Sequence, residues 1–147
     1  AEQNETTTKL HTATHLMHQA LREVLGDHVT QAGSAITPEK LRFDFTHPES
    51  LTNQEINQVE DLVNEKINQD LPVNKETMPL ERAKSEAQLI PGRNYPDKVK
   101  VYTIGNFSKE ICGGPHVEST GELKGFEIIK EKSSGAGKRR IYAKLKL

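Results

Sequence analysis

The sequence predicts an α+β fold, an antiparallel sheet packed by two long helices and one short helix. Two stretches, 9–25 and 53–69, repeat apolar residues at helical spacing. Six short stretches carry strand patterning and follow one another mostly without an intervening helix, which favours antiparallel pairing over βαβ units. The 147 residues suffice for one domain, 1–147, with its own core.

Each element has a local reason. In Lys9–Leu25 the residues Leu10, Ala13, Met17, Ala20, Leu21 and Val24 form one apolar stripe, and Gly26 closes the helix. Residues 1–8 precede it as a polar, disordered tail. Val29–Ile36 and Lys40–Phe45 read as strands around Thr37-Pro38-Glu39, with Leu41, Phe43 and Phe45 alternating against Arg42 and Asp44. Thr52 and Glu55 form a capping box for the second helix, whose stripe is Ile56, Val59, Val63 and Ile67. Val73–Met78 is a strand. Pro79 opens a short helix through Ala87, and the prolines and glycine of 90–96 make a loop. Lys98–Ile104, Phe126–Lys130 and Arg139–Leu145 complete the strands, the last two joined by a turn at 133–137.

Composition narrows the function. Apolar residues are 33% and aromatics 5%, and no run is long enough to span a bilayer. Residues 1–9 lack the apolar stretch of a signal peptide, and one cysteine rules out an internal disulfide framework. The expectation is a cytoplasmic protein. Net charge is −1, so bulk electrostatics do not announce a nucleic-acid binder. The segment 137–147 nevertheless holds five basic residues and no acidic one, an edge able to meet phosphates or simply a solvated strand.

Two pairs of metal-ligand type stand out. His11 and His15 lie in H-T-A-T-H; Cys112 and His116 lie in C-G-G-P-H. Each pair is spaced i, i+4, which on a helix places both side chains on one face. One zinc site built from both ends of the chain would explain all four. His18 shares the stripe of the first pair. It lies roughly 10 Å along the axis from His11, too far for one ion, so spacing leaves His11/His15 and His15/His18 both open. His28 and His47 read as ordinary loop or strand residues. Four ligands would make a structural site, whereas a catalytic one keeps a position for water. Gly113 and Gly114 permit close backbone approach and can offer N–H groups to an oxyanion, or form a tight turn.

The segments H-T-A-T-H-L (11–16), G-D-H-V-T-Q-A-G-S (26–34), L-R-F-D-F-T-H (41–47), V-E-D-L-V-N (59–64), C-G-G-P-H-V (112–117), S-T-G-E-L (119–123) and K-R-R-I-Y-A (138–143) resemble the editing domain of alanyl-tRNA synthetases and the free-standing alanyl-tRNA editing proteins. The resemblance runs from about Leu10 to Leu145. It implies the second-additional-domain fold of threonyl- and alanyl-tRNA synthetases. It also implies a deacylase that hydrolyses serine or glycine from alanine-specific tRNA, in a short free-standing form or an excised piece. The family's metal positions fall on His11, His15, Cys112 and His116, and its pocket threonine and glutamine on Thr14 and Gln31. On this reading those six are the catalytic set. Thr14, Gln31, Gly113 and Gly114 bind substrate, and Lys138, Arg139 and Arg140 meet the tRNA. Zinc would orient the substrate and lower the pKa of a bound water. Pro115 stands where alanyl members usually carry Thr. C-x-G-P-H-V-x-S-T-G is closer to the threonyl editing domain, which removes serine from threonine-specific tRNA, and residues 89–96 also depart from the alanyl pattern. The rival classes are a non-catalytic zinc-stabilised tRNA-binding module and a general metallo-esterase.

Overall fold

Helix α1, Glu5–Leu25, packs against both of the molecule's antiparallel sheets and against the second long helix. The computed structural model describes residues 5–146. The first sheet has the order β1 (Gln31–Ile36), β2 (Leu41–Thr46), β7 (Lys138–Leu145), β6 (Phe126–Gly135). The second consists of β3 (Val73–Pro79), β4 (Lys98–Ile104) and β5 (Ser108–Ile111). Helix α2 is Asn53–Asn68, α3 is Leu80–Glu86, and a 3-10 turn covers Thr120–Leu123.

The α+β class and its antiparallel pairing follow the sequence reading, with the strands divided between two sheets. Of the tail expected over 1–8, residues 1–4 lie outside the described residues. Residues 5–8 are the first turns of α1, which therefore starts before Lys9. Strand β6 runs on to Gly135, so the turn shrinks to Ala136-Gly137, with Gly135 opposite Lys138. Strand β5 has no apolar alternation to reveal it, because its buried positions include Ser108 and Glu110.

The main core lies between α1, α2 and one face of the first sheet. Leu41, Phe43, Phe45, Ile141, Ala143 and Phe126 are fully buried there against Leu10, Met17, Leu21, Val59 and Val63. Apart from the small Ala143, each of these side chains contributes about 1.5–3 kcal/mol. The capping box forms as the sequence implies: Glu55 N–H donates to Thr52 Oγ1 at 3.1 Å and Thr52 N–H to Glu55 Oε1 at 2.9 Å. A smaller cluster, Met78, Ala83, Val99, Val101 and Ile111, holds α3 on the second sheet.

The arginines of β7 are tied to carboxylates. Arg139 donates to Glu131 at 2.5 and 3.1 Å, and Arg140 donates to Asp44 at 2.8 and 3.0 Å. Burial opposes the charged form of Asp44, but Arg140 and then Arg42 outweigh it and hold its carboxyl below the usual carboxylate range. A carboxyl depressed in the fold stabilises above its unfolded pKa, and that contribution is lost as pH falls through the folded value. Asp44→Asn should therefore cost about 1–3 kcal/mol at neutral pH. The gap between wild type and variant in urea unfolding should stay constant down to about pH 4 and shrink below it. A gap that widened in acid would contradict the pairing.

Candidate functional site

The middle of α1 takes polar side chains inside. Thr12, Thr14, His15 and His18 are all buried, alongside the apolar stripe. They face three different neighbours because the helix is covered by α2, the first sheet and β5 together.

Thr12 fixes the loop that follows β5. Its Oγ1 accepts from the Val117 amide at 3.2 Å and lies 3.1 Å from His116 Nδ1. That leaves His116 Nε2 buried without a hydrogen-bond partner among the described residues, and His15 Nδ1 is in the same condition. Cys112 begins the loop, and the Gly114 amide donates to its Sγ at 3.4 Å. Residues 112–116 form no helix, so this second pair owes its convergence to the loop and not to the helical face that i, i+4 spacing suggests.

The result is one nitrogen and sulfur donor set. Ligand atoms of His15, Cys112 and His116 lie within 4.8 Å of one another. The rings of His15 and His116 are 4.4 Å apart between centroids, and Tyr102 backs His116 at 4.1 Å. His11 is adjacent but outside that set, its ring 6.2 Å from that of His116. A Cβ on Gly114 would come within 3.1 Å of His11 Nδ1, so glycine is what lets the loop approach α1 here. Gly113 meets no such neighbour. The donor types and the two orphaned imidazole nitrogens fit a metal such as zinc.

Sequence reasoning missed Glu110. It is buried on β5, accepts a 3.0 Å hydrogen bond from His18 Nδ1 and lies 3.9 Å from His15 Nε2. His18 is thus a carboxylate partner, packed on Phe43, and does not join the donor set. The signal was Glu110 standing two residues before Cys112 on a four-residue strand. Burial would raise the Glu110 pKa, but His15 and His18 outweigh it and keep the carboxylate charged. Burial likewise works against the charged form of His15, and Glu110 with Cys112 overcomes it, raising its pKa. Burial would also push the Cys112 thiol up, but His15 and the Gly114 amide pull it down towards thiolate. His116 is lowered to about 2 by burial and by His15 and His11, which keeps its imidazole neutral.

A cavity of about 590 Å³ opens from this cluster between β1 and the second sheet. That is the scale of a small-molecule site, larger than one amino-acid side chain requires. His11, His15, Cys112 and Gly114 line its reactive end, with Thr14, Gln31 and Ser34 beside them. Ile90, Tyr95 and Val99 make an apolar wall, and Arg93, Lys98 and Lys100 add positive charge. No ion pair engages those three cations among the described residues. Lys138 is exposed at the start of β7, whereas Arg139 and Arg140 are committed to Glu131 and Asp44.

Residues 99–142, which supply Tyr102, Glu110, Cys112 and His116, match the threonyl and alanyl tRNA synthetase second additional domain. Over 146 residues the chain is 61% identical to the alanine–tRNA ligase of Treponema denticola, covering 99% of this chain and 24% of that protein. It is 59% identical to the Treponema pallidum enzyme over 144 residues, 97% of this chain and 24% of that protein. The Borreliella burgdorferi enzyme gives 56% over 138 residues, 93% of this chain and 23% of the relative. The chain is a homologue of a stretch of alanine–tRNA ligases. It spans about a quarter of the length of the curated relatives it matches. The stretch matched to the second additional domain runs from β4 through most of β7, and within it C-G-G-P-H follows directly on β5. No helix among the described residues is long and apolar enough to cross a membrane.

The Glu110–His18 pair should reveal itself in stability. Glu110→Ala strands a buried imidazole and is expected to cost about 3–5 kcal/mol, a fall in melting temperature on the order of 10 °C. Glu110→Gln, which keeps an acceptor, should cost less than half of that. An unchanged melting temperature for Glu110→Ala would show that the carboxylate is not integrated into the packing.

Proposed function

We propose that this pocket is an aminoacyl-tRNA deacylase site that hydrolyses the ester joining serine, and secondarily glycine, to alanine-specific tRNA. The observation that carries the reading is the meeting, in one cavity, of His15 and Cys112 with Thr14 and Gln31, where the two donors belong to a set whose third member is His116. Homology to a stretch of alanine–tRNA ligases supports the choice of tRNA.

His15, Cys112 and His116, with His11 beside them, would hold zinc, which when bound polarises an ester carbonyl and makes water more acidic. Burial keeps the His116 imidazole neutral, the form such ligation needs, while the Cys112 thiol is pulled below its usual value by His15, whose own pKa is raised; a bound metal would take the place of the His15 proton. The Gly113 amide, in the pocket lining, is offered to the carbonyl oxygen as it gains charge.

Selectivity follows from hydrogen-bond direction. The Thr14 hydroxyl donates to the Leu10 carbonyl at 2.8 Å, which leaves its oxygen as an acceptor towards the cavity. Gln31 donates its Nε2 to Ser34 at 3.1 Å, which leaves its Oε1 as a second acceptor. Two acceptors favour a side chain that brings an O–H, as serine does and alanine does not, and they rank glycine, which brings none, behind serine. A synthetic site built for alanine rejects serine poorly by size, so a second site reading the hydroxyl complements it. At the far end Arg93, Lys98 and Lys100 would meet phosphates of the tRNA 3′ end, and the apolar wall would take a base. Lys138 remains available for tRNA, while Arg139 and Arg140 would reach it only beyond their carboxylate partners.

The test is deacylation of seryl-, glycyl- and alanyl-tRNA of the alanine type, and of seryl-tRNA of the threonine type, by wild type and His15→Ala. Loss of serine from the alanine-type tRNA, slowed about 100-fold or more by His15→Ala in a folded variant, is the expected result. Preference for the threonine-type tRNA would reassign the substrate and make Pro115 the residue to exchange. No hydrolysis of any substrate by zinc-loaded protein would overturn the enzyme reading.

A further inference from the structure

The first sheet has a second face that no helix covers among the described residues. Directly opposed residues share a face, and the pairings place Arg42 opposite Tyr142 and Tyr142 opposite Lys130. In the next row Asp44 faces Arg140, which faces Lys132. The buried residues of the same strands, Phe43, Phe45 and Ile141, point the other way, into the core. Arg139 and Glu131 also belong to that core-side set, since they alternate with the outward residues.

Charge on the outward face is predominantly positive. Tyr142 is the hub: the Lys40 ammonium sits 4.9 Å from its ring centroid and that of Lys132 5.7 Å. Arg42, Arg140 and Lys130 surround them. Two carboxylates share the face: Asp44, occupied by Arg140 with Arg42 at 3.7 Å, and Glu127, opposite Lys144 at the end of the patch. Lys40, Lys130 and Lys132 have no ion-pair partner among the described residues. The potential is felt by the ring itself. Burial disfavours Tyr142 ionisation, yet Arg140, Lys132 and Lys40 outweigh it and bring its hydroxyl below the usual range. Lysines gathered over one aromatic ring, on a chain of net charge −1, repel each other unless an anion joins them. Edge strand β1 adds small residues, Gly33 and Ala35, to this face, while its Gln31 and Ser34 line the cavity. An extended polyanion crossing the patch would therefore leave it at the strand that borders the pocket.

We infer that the outward face of the first sheet, centred on Tyr142 with Lys40, Lys130 and Lys132, is a docking surface for the phosphodiester backbone of RNA. It is separate from the catalytic cavity and holds the body of the tRNA whose 3′ end the cavity receives. The choice of RNA as the polyanion rests on the deacylase reading of the cavity.

The test is the double charge reversal K130E/K132E, which touches neither the cavity nor the core. Binding of uncharged full-length tRNA should weaken about tenfold or more, and the slope of log affinity against log salt should fall by about two, one for each lost phosphate contact. With aminoacylated tRNA, KM should rise in step while kcat stays the same. Hydrolysis of a short 3′-aminoacylated CCA oligonucleotide, which reaches the cavity but not the sheet face, should be unchanged. The conservative K130R/K132R should keep tRNA affinity. Unchanged tRNA binding by K130E/K132E overturns the proposal, including where the variant loses a protein partner instead. Equal losses on full-length and short substrates also overturn it, because the substitutions would then act through the cavity. Weakened tRNA binding in a protein that hydrolyses nothing keeps this surface and removes the deacylase reading. Ester hydrolysis with unaltered tRNA affinity does the reverse.

Discussion

The buried contact between α1 and β5 is the constraint from which the site follows. Where α1 is most deeply enclosed it carries His15 and His18, and both need polar partners away from water. Glu110 supplies one through its 3.0 Å hydrogen bond to His18 and lies close to His15. An isolated carboxylate at that depth would be costly, so the histidines and the glutamate stabilise one another. With β5 held against the helix in this way, its next residue, Cys112, emerges beside His15. Thr12, one helical position after His11, then catches the returning loop at Val117 and turns His116 inward. Two sequence-distant segments thus converge through ordinary side-chain hydrogen bonds, with no regular secondary structure in the loop.

This packing also separates tasks in space. Helix α1 buries one flank against the first sheet and turns another to the second, leaving the cavity open between β1 and β4. The cavity has a reactive end of nitrogen, sulfur and hydroxyl groups and a far end of apolar and cationic ones. The arginines of β7 serve the fold: their carboxylates cross-brace neighbouring strands through bidentate contacts. Lysines carry the unneutralised charge. A near-neutral chain can in this way present locally positive surface, because its carboxylates are spent on arginines and on exposed helices.

The helices and most strands were legible because they are amphipathic with clear period. Val59, Val63 and Ile67 mark α2, and Leu41, Phe43 and Phe45 mark β2. The start of α1 was not, since Glu5, Thr6, Thr7 and Thr8 offer no apolar signal. Strand β5 was hidden for a related reason: it buries a serine and a glutamate. In the site, the spacing singled out His15, Cys112 and His116, which the structure brings together. It could not separate His11 from His18, because a helical stripe fixes direction but not what stands opposite. What stands opposite His18 is Glu110, on a strand that periodicity does not show. The basic segment drew attention to Arg139 and Arg140 by composition alone, and composition carries no information about Glu131 and Asp44 across the sheet.

In the proposed function, the acceptors on Thr14 and Gln31 would recognise a hydroxyl-bearing side chain in the cavity. The most direct measurement is the ratio of single-turnover rates for seryl and alanyl esters of alanine-type tRNA, in wild type and in the near-isosteric Thr14→Val, with melting temperatures in parallel. A large ratio is expected in wild type. In the variant the ratio should collapse through a slower seryl reaction, with the fold intact. A ratio near one in wild type, or a ratio untouched by Thr14→Val in a folded protein, would contradict that recognition.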